Sequence, residues 1–221
     1  MFALECLNRN RKIIDSRGED GGIRNTTVMH HRLDIMSRAS NISAEEALAR
    51  LKDGNEGYVS SSRYGGNISE MKRSDLARDG QHPFAVIISC SDSRVIPEVI
   101  FNAGLGELFV IRSAGNVVDG CTLGSIEYAV GHMGCNLVVV LGHTSCGAIA
   151  EAINRFHEGH SIEIINDIIE GIGPEKDPVK ASRLNVRNSV RLIKEDIGDS
   201  YDVKVIGALY DIKDGTVEFG I

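Results

Sequence analysis

Residues 83–94 read Pro-Phe-Ala-Val-Ile-Ile-Ser-Cys-Ser-Asp-Ser-Arg, an apolar run that breaks off into a cysteine, an aspartate and an arginine. The run Phe84 to Ile88 does not alternate with polar residues, as a strand with one wet face would, so both of its faces must be covered. Three more runs of the same texture follow at Leu108 to Ile111, Leu137 to Leu141 and Val203 to Ile206. Helical patterns lie near 124–134, 147–158, 162–171 and 181–197. Strands alternating with helices predict an α/β domain whose mostly parallel central sheet is flanked by helices. In such a sheet ligands gather at the C-terminal strand ends. The closing stretch from Gly207 to Phe219, with Asp214-Gly215 inside it, predicts a hairpin or an edge strand.

Upstream, Ser43-Ala44-Glu45-Glu46 is a capping box, and Ala47, Leu48 and Leu51 supply the apolar stripe of the helix it opens. A second helix is predicted from about Ser69 to Arg78, stopping at Gly80. Together they make an N-terminal helical arm on a single catalytic domain over 41–221. Residues 1–40 mix Arg, Asp, Gly and Asn with few periodic apolar positions, which predicts a flexible extension in which Met29 or Met36 is an alternative start.

Hydrophobic residues at 42% and charged residues at 25% match ordinary globular usage and exclude disordered, collagen-like and fibrous classes. A net charge of −7, from 24 Lys and Arg against 31 Asp and Glu, leaves no electrostatic footprint for nucleic acid or an anionic membrane. No apolar run approaches the roughly 20 residues of a spanning helix. The N-terminus lacks a signal pattern, so a cytoplasmic location is expected. Five cysteines in a chain too long for a disulfide-stapled miniature point to a reducing compartment and to thiols used as ligands or nucleophiles.

The third apolar run ends in Gly142-His143-Thr144-Ser145-Cys146-Gly147, so both chemical clusters fall at strand ends. Cys90, His143 and Cys146 form a Cys2His set, which catalytic zinc uses when a fourth position is left open. Gly142 and Gly147 would allow the tight backbone around it. Cys6, Cys121 and Cys135 read as packing residues, and His30, His31, His157 and His160 as ordinary polar residues. Two thiolates formally cancel the charge of a divalent ion, so water on it is less acidic than on three imidazoles, and a helper is required. Asp92 is that helper, accepting a hydrogen bond from the nucleophile and orienting it. Arg94, a planar fork, holds Asp92 in place and ionised. Other motifs fail: Gly104-Leu105-Gly106 precedes a strand instead of following one, and neither a Walker A sequence nor a Gly-X-Ser-X-Gly elbow is present.

Cys90-Ser-Asp-Ser-Arg94, Gly142-His-Thr-Ser-Cys-Gly147, Gly124-Ser-Ile-Glu-Tyr-Ala-Val130 and Gly80-Gln-His-Pro83 together resemble the β-class carbonic anhydrases. The resemblance runs over about residues 43–153 and returns weakly at Gly207-Ala-Leu-Tyr-Asp211. It implies zinc (Zn2+) on Cys90, His143 and Cys146, and reversible hydration of CO2 to bicarbonate and a proton by attack of zinc-bound hydroxide. It also implies a homodimer or an assembly of dimers, in which Gln81 donates a hydrogen bond to substrate from across the interface. Phe109 and Tyr128 fall where the family places pocket residues. In some family members the counterpart of Asp92 swings onto zinc as a fourth ligand and closes the site. The chain departs from the pattern at Ser113, where the family commonly has Asn, and matches poorly over 155–200. With no Trp, the Trp-dependent inhibition by bicarbonate seen in one subgroup is not expected. His82 and His132 are candidates for a proton shuttle by residue type alone. Two other readings stay open: hydrolysis of carbonyl sulfide or carbon disulfide at the same site, and a non-catalytic zinc protein closed by Cys90, Asp92, His143 and Cys146.

Overall fold

The computed structural model describes residues 42–221 apart from 62, 157, 158 and 199. The expected extension over 1–40 lies outside the described residues, as do Cys6, His30, His31, His157 and the side chain of His160. Five strands form one sheet: β1 (Ala85–Cys90), β2 (Leu108–Ser113), β3 (Leu137–His143), β4 (Lys204–Tyr210) and β5 (Val217–Phe219), in the order β2-β1-β3-β4-β5. The first four are parallel and β5 runs antiparallel to β4, the edge strand expected of the closing stretch. From β1 the chain passes to β2 on one side and returns to β3 on the other. The strand order therefore reverses at β1 and β3, where the crevice of an open α/β sheet lies beyond the carboxyl ends.

Seven helices accompany the sheet among the described residues: α1 (Ala44–Ser60), α2 (Glu70–Asp79), α3 (Pro97–Ile100), α4 (Gly120–Met133), α5 (Gly147–Asn154), α6 (Ile162–Ile172) and α7 (Pro178–Ile197). Ser43 caps α1 by accepting from the Glu46 amide at 3.1 Å, while the Glu46 carboxylate reaches forward to Arg50 Nη2 at 3.0 Å. Helix α4 begins four residues before its apolar pattern because Asp119 caps it, accepting from Thr122 N at 2.7 Å. Helix α5 stops at Asn154, short of the expected 158, because Arg155 turns left-handed with φ 54°. The one-turn α3, opened by Pro97 at its first position, has too few residues to show a period.

Alternate residues of the buried strands go to opposite faces. Ile87, Val139 and Leu141 pack with Ala47 and Leu51 of α1, whereas Ile88, Val138 and Val140 pack with Ile126 and Ala129 of α4 and Val186, Ile193 and Ile197 of α7. Both faces of β1 and β3 are thus covered, which is why their sequences do not alternate. Leu141 is wholly buried. Leu141→Ala is expected to cost about 2–5 kcal/mol, read as a lower urea midpoint with an unchanged slope. No helix among the described residues is long and apolar enough to cross a membrane. Cys135 is a packing residue, its thiol on the Pro83 carbonyl at 3.3 Å. Cys121 is not: it is exposed at the start of α4, where the helix turns it to solvent.

Candidate metal centre

Cys90 closes β1 and His143 closes β3, and the pairing of Ser89 with Leu141 brings the two ends side by side. Cys146 follows one tight turn later, made possible by Ser145 in the left-handed region at φ 57°. Gly142 is set by packing and not by the turn: a Cβ there would meet Val186 Cγ2 at 2.4 Å. At Gly147 a Cβ would meet open space, so the expected need for glycine does not arise there. All three candidate ligand residues are buried, and their ligand atoms lie within 4.8 Å of one another.

His143 Nδ1 lies 2.9 Å from the Thr144 carbonyl, which can only accept, so Nδ1 carries the proton. The other nitrogen, Nε2, is buried with no hydrogen-bond partner among the described residues. A buried imidazole nitrogen left bare is a costly arrangement unless something binds it. The two sulfurs stand 4.0 Å apart. Two ligands at about 2.3 Å on a tetrahedral ion would sit about 3.8 Å apart. Two sulfurs and an imidazole nitrogen also form the donor set that prefers zinc over magnesium or calcium. Distances and chemistry therefore fit zinc held by Cys90, His143 and Cys146.

The Cys146 thiol first, then the His143 side chain and the Asp92 and Gly115 amides at 3.4 and 3.3 Å, outweigh burial and hold Cys90 well below the ordinary thiol range. Its hydrogen bond to that sulfur, together with burial, pushes Cys146 up. A divalent ion would relieve this conflict by letting both sulfurs ionise.

Asp92 is gripped by its neighbour. Arg94 Nε donates to Oδ1 at 2.9 Å, Nη2 to Oδ2 at 2.7 Å, and the Arg94 amide to Oδ1 at 2.9 Å. These bonds hold the Asp92 carboxyl well below the usual carboxylate range. Arg94 Nη2 also donates to the Ser145 carbonyl at 3.1 Å, tying the pair to the turn between His143 and Cys146. Asp92 stands outside the cluster of three ligand atoms.

Sequence reasoning missed the residues that hold backbone. Arg112 donates through Nε to the Cys90 carbonyl at 3.2 Å and through Nη2 to the Asp92 carbonyl at 2.8 Å. Thr144 is fixed by β4, its amide on the Tyr210 carbonyl at 2.9 Å and its hydroxyl accepting from Ile212 N at 3.1 Å. That grip fixes the carbonyl that orients His143. Ser113, the departure from the family pattern, donates to the Val117 carbonyl at 2.8 Å.

Three expected site residues lie elsewhere in the chain. Gln81 is exposed and precedes β1, whose length from Ala85 to Cys90 is about 16 Å at about 3.3 Å per residue. Phe109 pairs with Val86 near the start of β2, and its ring lies tilted against that of the half-exposed Tyr128, centroids 6.4 Å apart. His82 is exposed, and His132 is exposed with its ring 5.2 Å from that of Tyr128.

A family model described as carbonic anhydrase matches residues 85–217. Carbonic anhydrase 2 of Mycobacterium tuberculosis is 44% identical over 135 residues, and the carbonic anhydrase of Mycolicibacterium smegmatis 41% identical over 135 residues. Each match covers 61% of this chain and 65% of the relative, so the chain spans somewhat under two thirds of the length of these relatives. The solved β-carbonic anhydrase of Coccomyxa, in complex with acetazolamide, is 26% identical with a TM-score of 0.56, covering 68% of this chain and 81% of that one. With the family match spanning more than half of its residues, the chain belongs to the β-class carbonic anhydrase family.

Proposed function

We propose that the protein catalyses the reversible hydration of CO2 to bicarbonate and a proton, with zinc held by Cys90, His143 and Cys146. The observation that carries this reading is the bare, buried Nε2 of His143 beside two buried sulfurs, with the Asp92–Arg94 pair next to them. When bound, zinc supplies the Lewis acid that turns water into a nucleophile, an effect whose reference case is the three-histidine carbonic anhydrase. Asp92, kept ionised by Arg94, accepts a hydrogen bond from the reacting water and so orients its lone pair. Around the cysteines, Val117, Ile149, Ile165 and Ile168 form an apolar cluster, which excludes water and suits an uncharged, apolar substrate. The test is zinc content together with CO2 hydration, whose rate should rise with pH above neutral. Zinc-loaded protein without hydration at alkaline pH would overturn the reading.

The placement of Gln81, Phe109 and Tyr128 supports a dimer in which one copy's strand starts complete the other's site. Gln81→Ala and Asp92→Asn chains, each strongly impaired alone, should then regain hydration when co-assembled, since one of the two mixed sites is whole. No recovery in verified mixed dimers would mean that Gln81 does not act across the interface. Five cysteines in a chain too long for a disulfide-stapled miniature suit a reducing compartment, and we propose a cytoplasmic location.

A further inference from the structure

Ser182, Asn185 and Ser189 are each 3% exposed on the inward face of α7. Their spacing of three and four residues lines them up on one stripe, where an amphipathic helix ordinarily carries apolar side chains. Ser182 bonds within its own helix, to the Pro178 carbonyl at 2.9 Å. The other two reach out of it: Asn185 Nδ2 donates to the Gly115 carbonyl at 2.8 Å, and Ser189 Oγ to the Asn116 carbonyl at 3.4 Å. Both acceptors belong to the turn Ala114–Asn116, which takes two left-handed residues in succession. Gly115 and Asn116 are consecutive left-handed residues at φ 64° and 49°, and a Cβ on Gly115 would meet Ile168 Cδ1 at 2.6 Å. Gly and Asn adopt this conformation at little cost but are not confined to it, so the two bonds from α7 select it among the shapes open to them. What the turn delivers is the Gly115 amide, which donates to Cys90 Sγ at 3.3 Å.

We propose that Asn185 and Ser189 are positioning residues of the metal centre, holding the Ala114–Asn116 turn left-handed so that the Gly115 amide stays on the Cys90 sulfur. The inference rests on the zinc reading above. An amide on the sulfur withdraws charge from it and fixes its direction, so the hold of α7 on the turn sets how Cys90 meets the ion. Losing outer partners of metal ligands typically weakens metal binding about 10–100-fold.

The experiment uses the full chain in zinc and cobalt forms. Asn185→Ala should release zinc to a competing chelator about 10–100-fold more readily. Its cobalt form should show the sulfur-to-metal charge-transfer band at longer wavelength, because the sulfur lone pairs are no longer stabilised by the amide. Ser189→Ala, which removes a longer bond, should move both readouts the same way by less, and it carries the test if Asn185→Ala does not fold. Val205→Ala, a loss of buried volume in β4, is the control for general loosening and should lower the melting temperature alone. If the turn variants only melt earlier and match that control in zinc release and band position, the proposal is overturned. If the wild-type cobalt form shows no sulfur band at all, the zinc reading itself fails and the proposal with it.

Discussion

Replacing His143 with alanine should leave a folded protein that neither retains zinc through dialysis nor hydrates CO2. The imidazole is the one neutral donor in the cluster, and its orientation is already prepared: Nδ1 donates to the Thr144 carbonyl and Nε2 is left bare. Without it, two sulfurs 4.0 Å apart remain, and two ligands cannot define a tetrahedral site. The fall in affinity should exceed the about 10–100-fold that follows loss of an outer hydrogen-bond partner. Folding should survive, because the two large core clusters on either face of the sheet contain none of the three candidate ligands. Metal analysis, a hydration assay and a thermal melt on one preparation check all three parts. A variant that kept stoichiometric zinc would show that the ion is held elsewhere.

The strands were legible because burial on both faces leaves an unmistakable run of Val, Ile and Leu. How far each strand runs beyond its apolar stretch was not. Each parallel strand continues past its apolar run, β1 through Ser89 and Cys90, β2 through Arg112 and Ser113, β3 through Gly142 and His143, and β4 to Tyr210. At β1 and β3 the added residues include Cys90 and His143, so a count of apolar runs stops short of the positions that carry the chemistry. Cys90, Asp92, Arg94, His143 and Cys146 were legible because their side chains are chemically distinctive and fall at strand ends. Arg112 and Thr144 were not, since their work is to bond carbonyls and amides and such work leaves no spacing in a sequence. Asn185 and Ser189 leave a fainter trace, a polar stripe on a helix face that ought to be apolar. That trace becomes informative only when the partner turn, some 70 residues away in the chain, is brought against it.

Asp92→Asn should bind zinc as the wild type does and lose turnover by about 10²–10⁴-fold, the range associated with a positioned proton-handling group. Zinc is spared because Asp92 stands outside the ligand cluster and is held by two side-chain bonds to Arg94. To become a fourth ligand it would have to leave both. The amide that replaces the carboxylate turns a donor toward the donors of Arg94, so the substitution removes both the charge and the fixed direction of the acceptor. The pH behaviour follows from the same bonds. Arg94 depresses the folded-state titration of Asp92, so the stability it contributes is present above the ordinary carboxylate range of about 4 and is lost only as pH falls through its lowered value. Asp92 is therefore already ionised across the neutral range, and a rise in rate above neutral pH reports the reacting water and not this carboxylate. Arg94→Ala separates the two: with the guanidinium gone, Asp92 titrates nearer its ordinary value and the acid edge of the pH–rate profile moves up, while the alkaline rise stays in place. Loss of zinc from Asp92→Asn would instead make this carboxylate a ligand and the centre a closed one.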